Sequence, residues 1–154
     1  MERIKDLLLK LVYFLILIYL IVFIPIIWNY YPLIVVSGSM EPTLKVGGIL
    51  YYHEKNINEF KKNEILVYRY KNHIISHRIV NKNSDSFITK GDANKKNDSK
   101  VIYHNQIIGE GTNFCIPYIG YYIDYIYHHK YLLIITTIIL LIDLYGRREI
   151  IKNE

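Results

Sequence analysis

The sequence predicts a mostly β protein: a small curled sheet or partial barrel set between an N-terminal transmembrane helix and a C-terminal one. Three observations carry that expectation. Leu11 to Tyr30 is an uncharged run of 20 residues, long enough to cross a hydrocarbon core as a helix. Between residues 32 and 116, short runs rich in Ile, Val and Tyr alternate with polar turns, without a useful length of helical periodicity. A second apolar stretch, Tyr131 to Tyr145, follows. The expected organisation is a cytoplasmic N-terminus at 1–10, a signal anchor at 11–30 and an external all-β domain at 31–127. A second span at 128–146 and a cytoplasmic tail at 147–154 complete it.

The flanks orient these segments. Arg3, Lys5 and Lys10 precede the first, and Arg147, Arg148 and Lys152 follow the second. By the positive-inside rule both termini face the cytoplasm. Trp28, Tyr30 and Tyr31 suit an interfacial belt, and Pro25 predicts a kink or an early helix end. Tyr131 to Tyr145 is short and carries Asp143, so length alone leaves it between a spanning and an interfacial helix. The expected location is the cell membrane, multi-pass or single-pass, with the β domain on the extracytoplasmic face. A cleavable secretory leader is the competing reading, but its apolar core is usually about 7–15 residues. The longer run here favours an uncleaved anchor.

A chain of 154 residues has room for one small domain plus membrane segments. The net charge of +5 comes from lysines scattered among Asn and Asp, with no basic helix or basic-aromatic stripe. Nucleic-acid binding is therefore unsupported. Cys115 is the only cysteine, which excludes an intramolecular disulfide and a cysteine-rich metal site. His73 and His77 stand four apart, a metal-ligand spacing on a helix, but their surroundings read as strand and no HExxH accompanies them. Zinc is discounted, and no metal or organic cofactor is expected.

Strands are expected at 32–36, 49–53, 64–70, 73–81, 86–90 and 106–111. Residues 54–63 form a polar loop with room for one helical turn, and 91–100 is loop. Lys71-Asn72 reads as a hairpin turn. In 73–81 the alternation places His73, Ile75, His77 and Ile79 on one face.

The chemistry gathers on a few residues. Ser37-Gly38-Ser39-Met40-Glu41-Pro42 follows closely on the apolar run, and its glycine permits the tight backbone that an exposed nucleophile needs. Ser39 is the candidate nucleophile and His77 the candidate base, since a serine hydroxyl is weak until a base accepts its proton. Asp92 and Asp98 are both candidates to orient His77, because a carboxylate on the second ring nitrogen sets the tautomer. Each has a bland reading: a polar turn, a packing histidine, an Asx-type turn. From Tyr31 to Ser39 is eight residues, at most roughly 28 Å when extended. Ser39 must therefore lie close to the membrane surface.

In order along the chain come the anchor, Ser37 to Pro42, Ser76-His77-Arg78-Ile79-Val80, Lys90-Gly91-Asp92-Ala93-Asn94 with Asp98, Ile108-Gly109 and Ile116 to Gly120. This series resembles type I signal peptidase, in the form of archaea, the endoplasmic reticulum and some sporulating bacteria that uses histidine where most bacterial enzymes use lysine. The resemblance implies a membrane-bound serine endopeptidase that cleaves signal peptides from exported pre-proteins after small residues. It implies Ser39 as nucleophile, His77 as general base, and Ser37 with the Ser39 amide as the oxyanion hole. Asp98 matches the likelier acid of the triad, and Asp92 the other acid of that loop. Pre-proteins and membrane lipid are the implied partners, with the secretion translocase as a further candidate. The sequence departs from the family at Gly47-Gly48 and Asn63-Glu64, where Gly-Asp is usual. A protease of this design dedicated to one substrate, or a non-enzymatic membrane-tethered β domain that binds a partner, are the alternatives.

Overall fold

A computed structural model of the chain describes residues 2–152. Met1 and the last two residues of the expected 147–154 tail lie outside the described residues. The chain divides into two compact units, residues 23–121 and the flanking segments.

α1 (Glu2–Phe23), which lies in the flanking unit up to Val22, ends two residues before Pro25, whose ring and missing N–H stop an α-helix. A 3-10 turn, Ile24–Trp28, continues it to Asn29, which leaves in the left-handed region at φ 61°. Asp6–Trp28 has a mean hydropathy of 2.9 and, among the described residues, is the one helix long and apolar enough by itself to cross a membrane. The second apolar stretch lies in α3 (Lys130–Lys152). It passes that test only together with α2 (Ile119–His128), and the pair is bent by 87°. The α2 helix was not expected from the sequence. Its stripe of Ile119, Ile123 and Ile126 has the helical spacing, with Ile123 and Ile126 buried. The run of tyrosines between them masks that period.

Residues 23–121 carry a curled half-barrel of seven antiparallel strands. These are β1 (Tyr31–Ile34), β2 (Ile49–His53), β3 (Ile65–Tyr70), β4 (His73–Lys82), β5 (Ser86–Lys90), β6 (Val101–Tyr103) and β7 (Ile107–Ile116). Their order across the sheet is β1-β2-β7-β3-β4-β5-β6. Pro32 is tolerated because β1 is an edge strand. The expected helical turn in 54–63 is Ile57–Glu59. Two strands differ from expectation. β6 has three residues, too short for a periodic signal. β7 runs on to Ile116 rather than stopping at 111, because it pairs with β3 over its first part and with β2 to its end.

The alternation of β3 divides the core. Ile65 and Val67 join Val35, Met40, Leu44 and Leu50 on one face, while Leu66 and Tyr68 join Phe60, Ile79, Phe87 and Ile102 on the other. A strand covered on both faces reads as an unbroken apolar run, as Ile65 to Tyr68 does. β4 pairs with β3 from His73 to Arg78, but with β5 only from Arg78 onward. Among the described residues, the second edge of 73–77 has no strand partner. The two departures from the family pattern are turn positions: Gly47 has φ 75° and Asn63 φ 74°. Asn tolerates that region, and Glu64 accepts from Lys61 N–H at 2.9 Å and from Lys55 Nζ at 2.7 Å.

Phe87 is fully buried and meets the Phe60 ring edge-on at 5.7 Å. Phe87→Ala is expected to cost about 3–5 kcal/mol, read as a lower urea midpoint for the transition followed by circular dichroism of the detergent-solubilised chain.

Candidate active site

The serine turn is built by burial at one end and a main-chain clamp at its centre. Ser37 is extended, at φ −135° and ψ 154°, and Gly38–Met40 form a 3-10 turn. Met40 and Leu44 are sunk in the core and joined by the Leu44 N–H to Met40 carbonyl bond at 2.9 Å. The Ser39 carbonyl accepts the Ala93 N–H at 2.9 Å. Gly91 lies flat against it: a Cβ there would stand 2.5 Å from the Ser39 carbonyl oxygen. The glycine is needed for close approach.

On this turn Ser39 Oγ stands 3.0 Å from His77 Nε2 and 3.3 Å from Ser37 Oγ. His77 Nδ1 is 2.6 Å from Asp98 Oδ2. The Thr89 hydroxyl donates to the same Asp98 oxygen at 2.7 Å. His77 and Asp98 are largely enclosed, at 12% and 21% side-chain exposure. A cavity of about 190 Å³ opens beside the serine, walled by residues 33–37 and 74–77 with Ser39 and Met40. A second, of about 210 Å³, has His77 and Asp98 in its wall with Tyr68, Tyr70, Ile75 and Lys100. Among the described residues no group of three His, Cys, Asp or Glu side chains could hold a metal ion.

The structure brings Ser37, Ser39, His77 and Asp98 together and takes Asp92 elsewhere. Arg78 grips Asp92 with two bonds, Nε to Oδ1 at 2.8 Å and Nη2 to Oδ2 at 2.7 Å, and Thr43 donates to Oδ2 at 2.7 Å. Arg78 Nη1 also donates to the Asn63 carbonyl at 2.7 Å. The reason for the split is alternation: His77 and Arg78 are neighbours on β4 and point to opposite faces. The Arg78 bonds hold the Asp92 carboxyl below the usual carboxylate range, and the same pairing raises Arg78. Thr43 and Thr89 were not singled out by sequence, and Arg78 entered only as part of the Ser76–Val80 motif, without a role. The only available signal was the His77-Arg78 neighbourhood, a cation beside the candidate base.

Because Asp92 is depressed in the folded state, the stability it contributes is present above the ordinary carboxylate range. It is lost as pH falls through the lowered folded value. Asp92→Asn is therefore expected to cost about 2 kcal/mol at neutral pH and to flatten the acid limb of the melting-temperature profile. Gly91→Ala is expected to displace the Ser39 carbonyl and to disturb the Ser39–His77 contact.

No family model matches the chain. It is 37% identical over 102 residues to the signal peptidase complex catalytic subunit of Colletotrichum graminicola, covering 57% of this chain and 59% of that protein. The corresponding subunit of Sclerotinia sclerotiorum is 34% identical over 113 residues, 64% of this chain and 65% of that protein. That of Lachancea thermotolerans is 34% identical over 115 residues, 64% of this chain and 67% of that protein. The chain spans less than two thirds of the length of the first two curated relatives. On the extent and identity of these matches, the chain belongs to the signal peptidase family, alongside the catalytic subunits of the signal peptidase complex.

Proposed function

We propose that this chain is a membrane-anchored serine endopeptidase that removes signal peptides from exported pre-proteins. The observation that carries this is the contact series from Ser39 Oγ through His77 Nε2 and Nδ1 to Asp98 Oδ2, at 3.0 and 2.6 Å. A carboxylate only accepts, so the Nδ1 proton of His77 is directed at Asp98 and Nε2 keeps its lone pair for the Ser39 hydroxyl. That is the tautomer a general base needs.

In this reading Ser39 Oγ attacks the scissile carbonyl while its proton passes to His77 Nε2. The tetrahedral oxyanion is held by the Ser39 N–H and the Ser37 hydroxyl. The C–N bond then breaks, the proton moves from Nε2 to the leaving amine, and an acyl ester remains on Ser39. Water, deprotonated by the same nitrogen, releases the signal peptide and restores the serine. Asp98 is the orienting acid of this reading, and Asp92 a structural partner of Arg78.

The unpaired edge of 73–77 supports an extended substrate, since a free strand edge offers main-chain donors and acceptors to a peptide of any sequence. The adjoining cavity has Leu33, Val35, Ile74 and Ile75 in its wall and offers an apolar seat for side chains before the cut. The apolar segment ends a few residues before the serine turn, as a signal's apolar core ends just before its cleavage site. Residues 6–28 are the anchor of this reading, 31–116 its extracytoplasmic domain, and the segment after 128 a second membrane element. Signal-bearing pre-proteins are the substrates and the secretion translocase a partner.

The test is cleavage of a radiolabelled pre-protein in detergent and in membranes, with N-terminal sequencing of the product. The wild type is expected to cut after a small residue. Ser39→Ala and His77→Ala are each expected to lose about 10⁴-fold or more in kcat while remaining folded and membrane-bound. Substantial processing by either variant would remove that residue from the mechanism.

A further inference from the structure

The carboxylate that faces His77 is itself held from behind. Thr89, in β5, is fully buried, so its hydroxyl needs partners inside the protein. It bonds Asp98 twice. The Thr89 carbonyl accepts the Asp98 N–H at 2.8 Å, and its hydroxyl donates to Asp98 Oδ2 at 2.7 Å. Asp98 lies outside the strands, between β5 and β6, so these bonds pin both its main chain and its carboxylate. The Tyr68 hydroxyl stands 3.4 Å from Thr89 Oγ1. A hydroxyl carries one proton, and that of Thr89 goes to Asp98; in the remaining contact Tyr68 is the donor. Burial raises the Tyr68 hydroxyl above the usual phenol value, and the nearby Asp98 charge adds to this against the Thr89 bond, which keeps it a donor. Every proton in the series thus has one direction: Tyr68 to Thr89, Thr89 to Asp98, His77 Nδ1 to Asp98, and Ser39 to His77 Nε2.

We propose that Thr89, backed by Tyr68, is a positioning residue whose hydroxyl holds the Asp98 carboxylate with Oδ2 aimed at His77 Nδ1. The proposal rests on the reading above, in which His77 is the base. Oδ2 accepts from both sides, so the carboxylate cannot rotate without breaking a charge-assisted bond. Without the hydroxyl, the partly exposed Asp98 is free to turn toward solvent, and the His77 ring loses its fixed pose. The effect falls on proton transfer in the transition state and not on substrate binding, so it appears in kcat and spares KM.

Thr89→Val keeps the branched shape and the main-chain bond to Asp98 and puts a methyl in place of the hydroxyl. With the detergent-solubilised full chain, kcat for pre-protein cleavage is expected to fall about tenfold with KM within about twofold. In proton NMR of histidine-labelled protein, the downfield His77 Nδ1–H signal is expected to move upfield or broaden. Thr89→Ser is expected to restore both. Wild-type kcat with an unmoved signal in Thr89→Val, or a loss that Thr89→Ser does not restore, would overturn the proposal. Should Thr89→Val not fold, Tyr68→Phe takes its place: a smaller loss of kcat with the same direction of signal shift is expected, and no change in either overturns the proposal. A wild type that cuts no pre-protein would defeat the catalytic reading. The Nδ1–H comparison would still decide the positioning.

Discussion

Side chains of successive strand residues point to opposite faces of a sheet, and the site of this protein depends on that constraint at one dipeptide. His77 and Arg78 are adjacent on β4, so one meets Ser39 and Asp98 while the other meets Asp92 and the Asn63 carbonyl. The loop after β5 serves both. Asp92 near its start is clamped by Arg78, Asp98 near its end is clamped to Thr89 and His77, and Ala93 between them donates to the Ser39 carbonyl. Three distant segments are thereby tied to one another: the serine turn, the histidine strand and the acidic loop. The strongest of these ties are the charge-assisted ones, to Asp92 and Asp98. Their value lies in each removing freedom from a group that another tie needs in place.

The Arg78–Asp92 pair lies on the other face of β4 from the proposed reacting groups. Arg78 and Asp92 satisfy one another with two parallel bonds, the geometry in which a guanidinium and a carboxylate match best. Asp92 is thereby committed, and Asp98 is left as the acid within reach of His77. The second acid of the loop then works as a fastening for the strand that carries the proposed base. That division is the physical content of the proposed mechanism, since a single aspartate could not hold Arg78 and orient His77 on opposite faces of one strand.

The apolar architecture positions the same groups less visibly. β3 feeds both faces of the sheet, with Ile65 and Val67 against the serine-turn residues Met40 and Leu44, and Leu66 and Tyr68 against Phe87 and Ile102. The serine turn is thus anchored through one core face, and the Thr89–Asp98 contact sits beside the other, next to Tyr68. Among the described residues, packing also leaves the 73–77 edge of β4 unpaired beside the cavity at Ser39. In the proposed mechanism that edge takes an extended peptide, for which a fully closed sheet would have had no place.

Much of this was legible in the residues because it is local. The apolar run follows from length and the absence of charge, the 73–81 strand from its period of two, the turns from Gly, Asn and Asp. The set Ser37, Ser39, His77, Asp92 and Asp98 was legible as candidates, from residue type and motif. What depended on distant partners was not. β6 is too short to show a period, β7 is as long as its two neighbours make it, and the isoleucine stripe of α2 is masked by tyrosines. Sequence alone thus determined the apolar segment, the strand pattern and the residue types available for chemistry, because each is written in the spacing of neighbours. Tertiary structure alone decided that Asp98 faces His77, that Asp92 faces Arg78, and that Thr89 stands behind Asp98. Those contacts join residues 21, 14 and 9 positions apart, and no local period encodes which face of a strand a returning loop will meet.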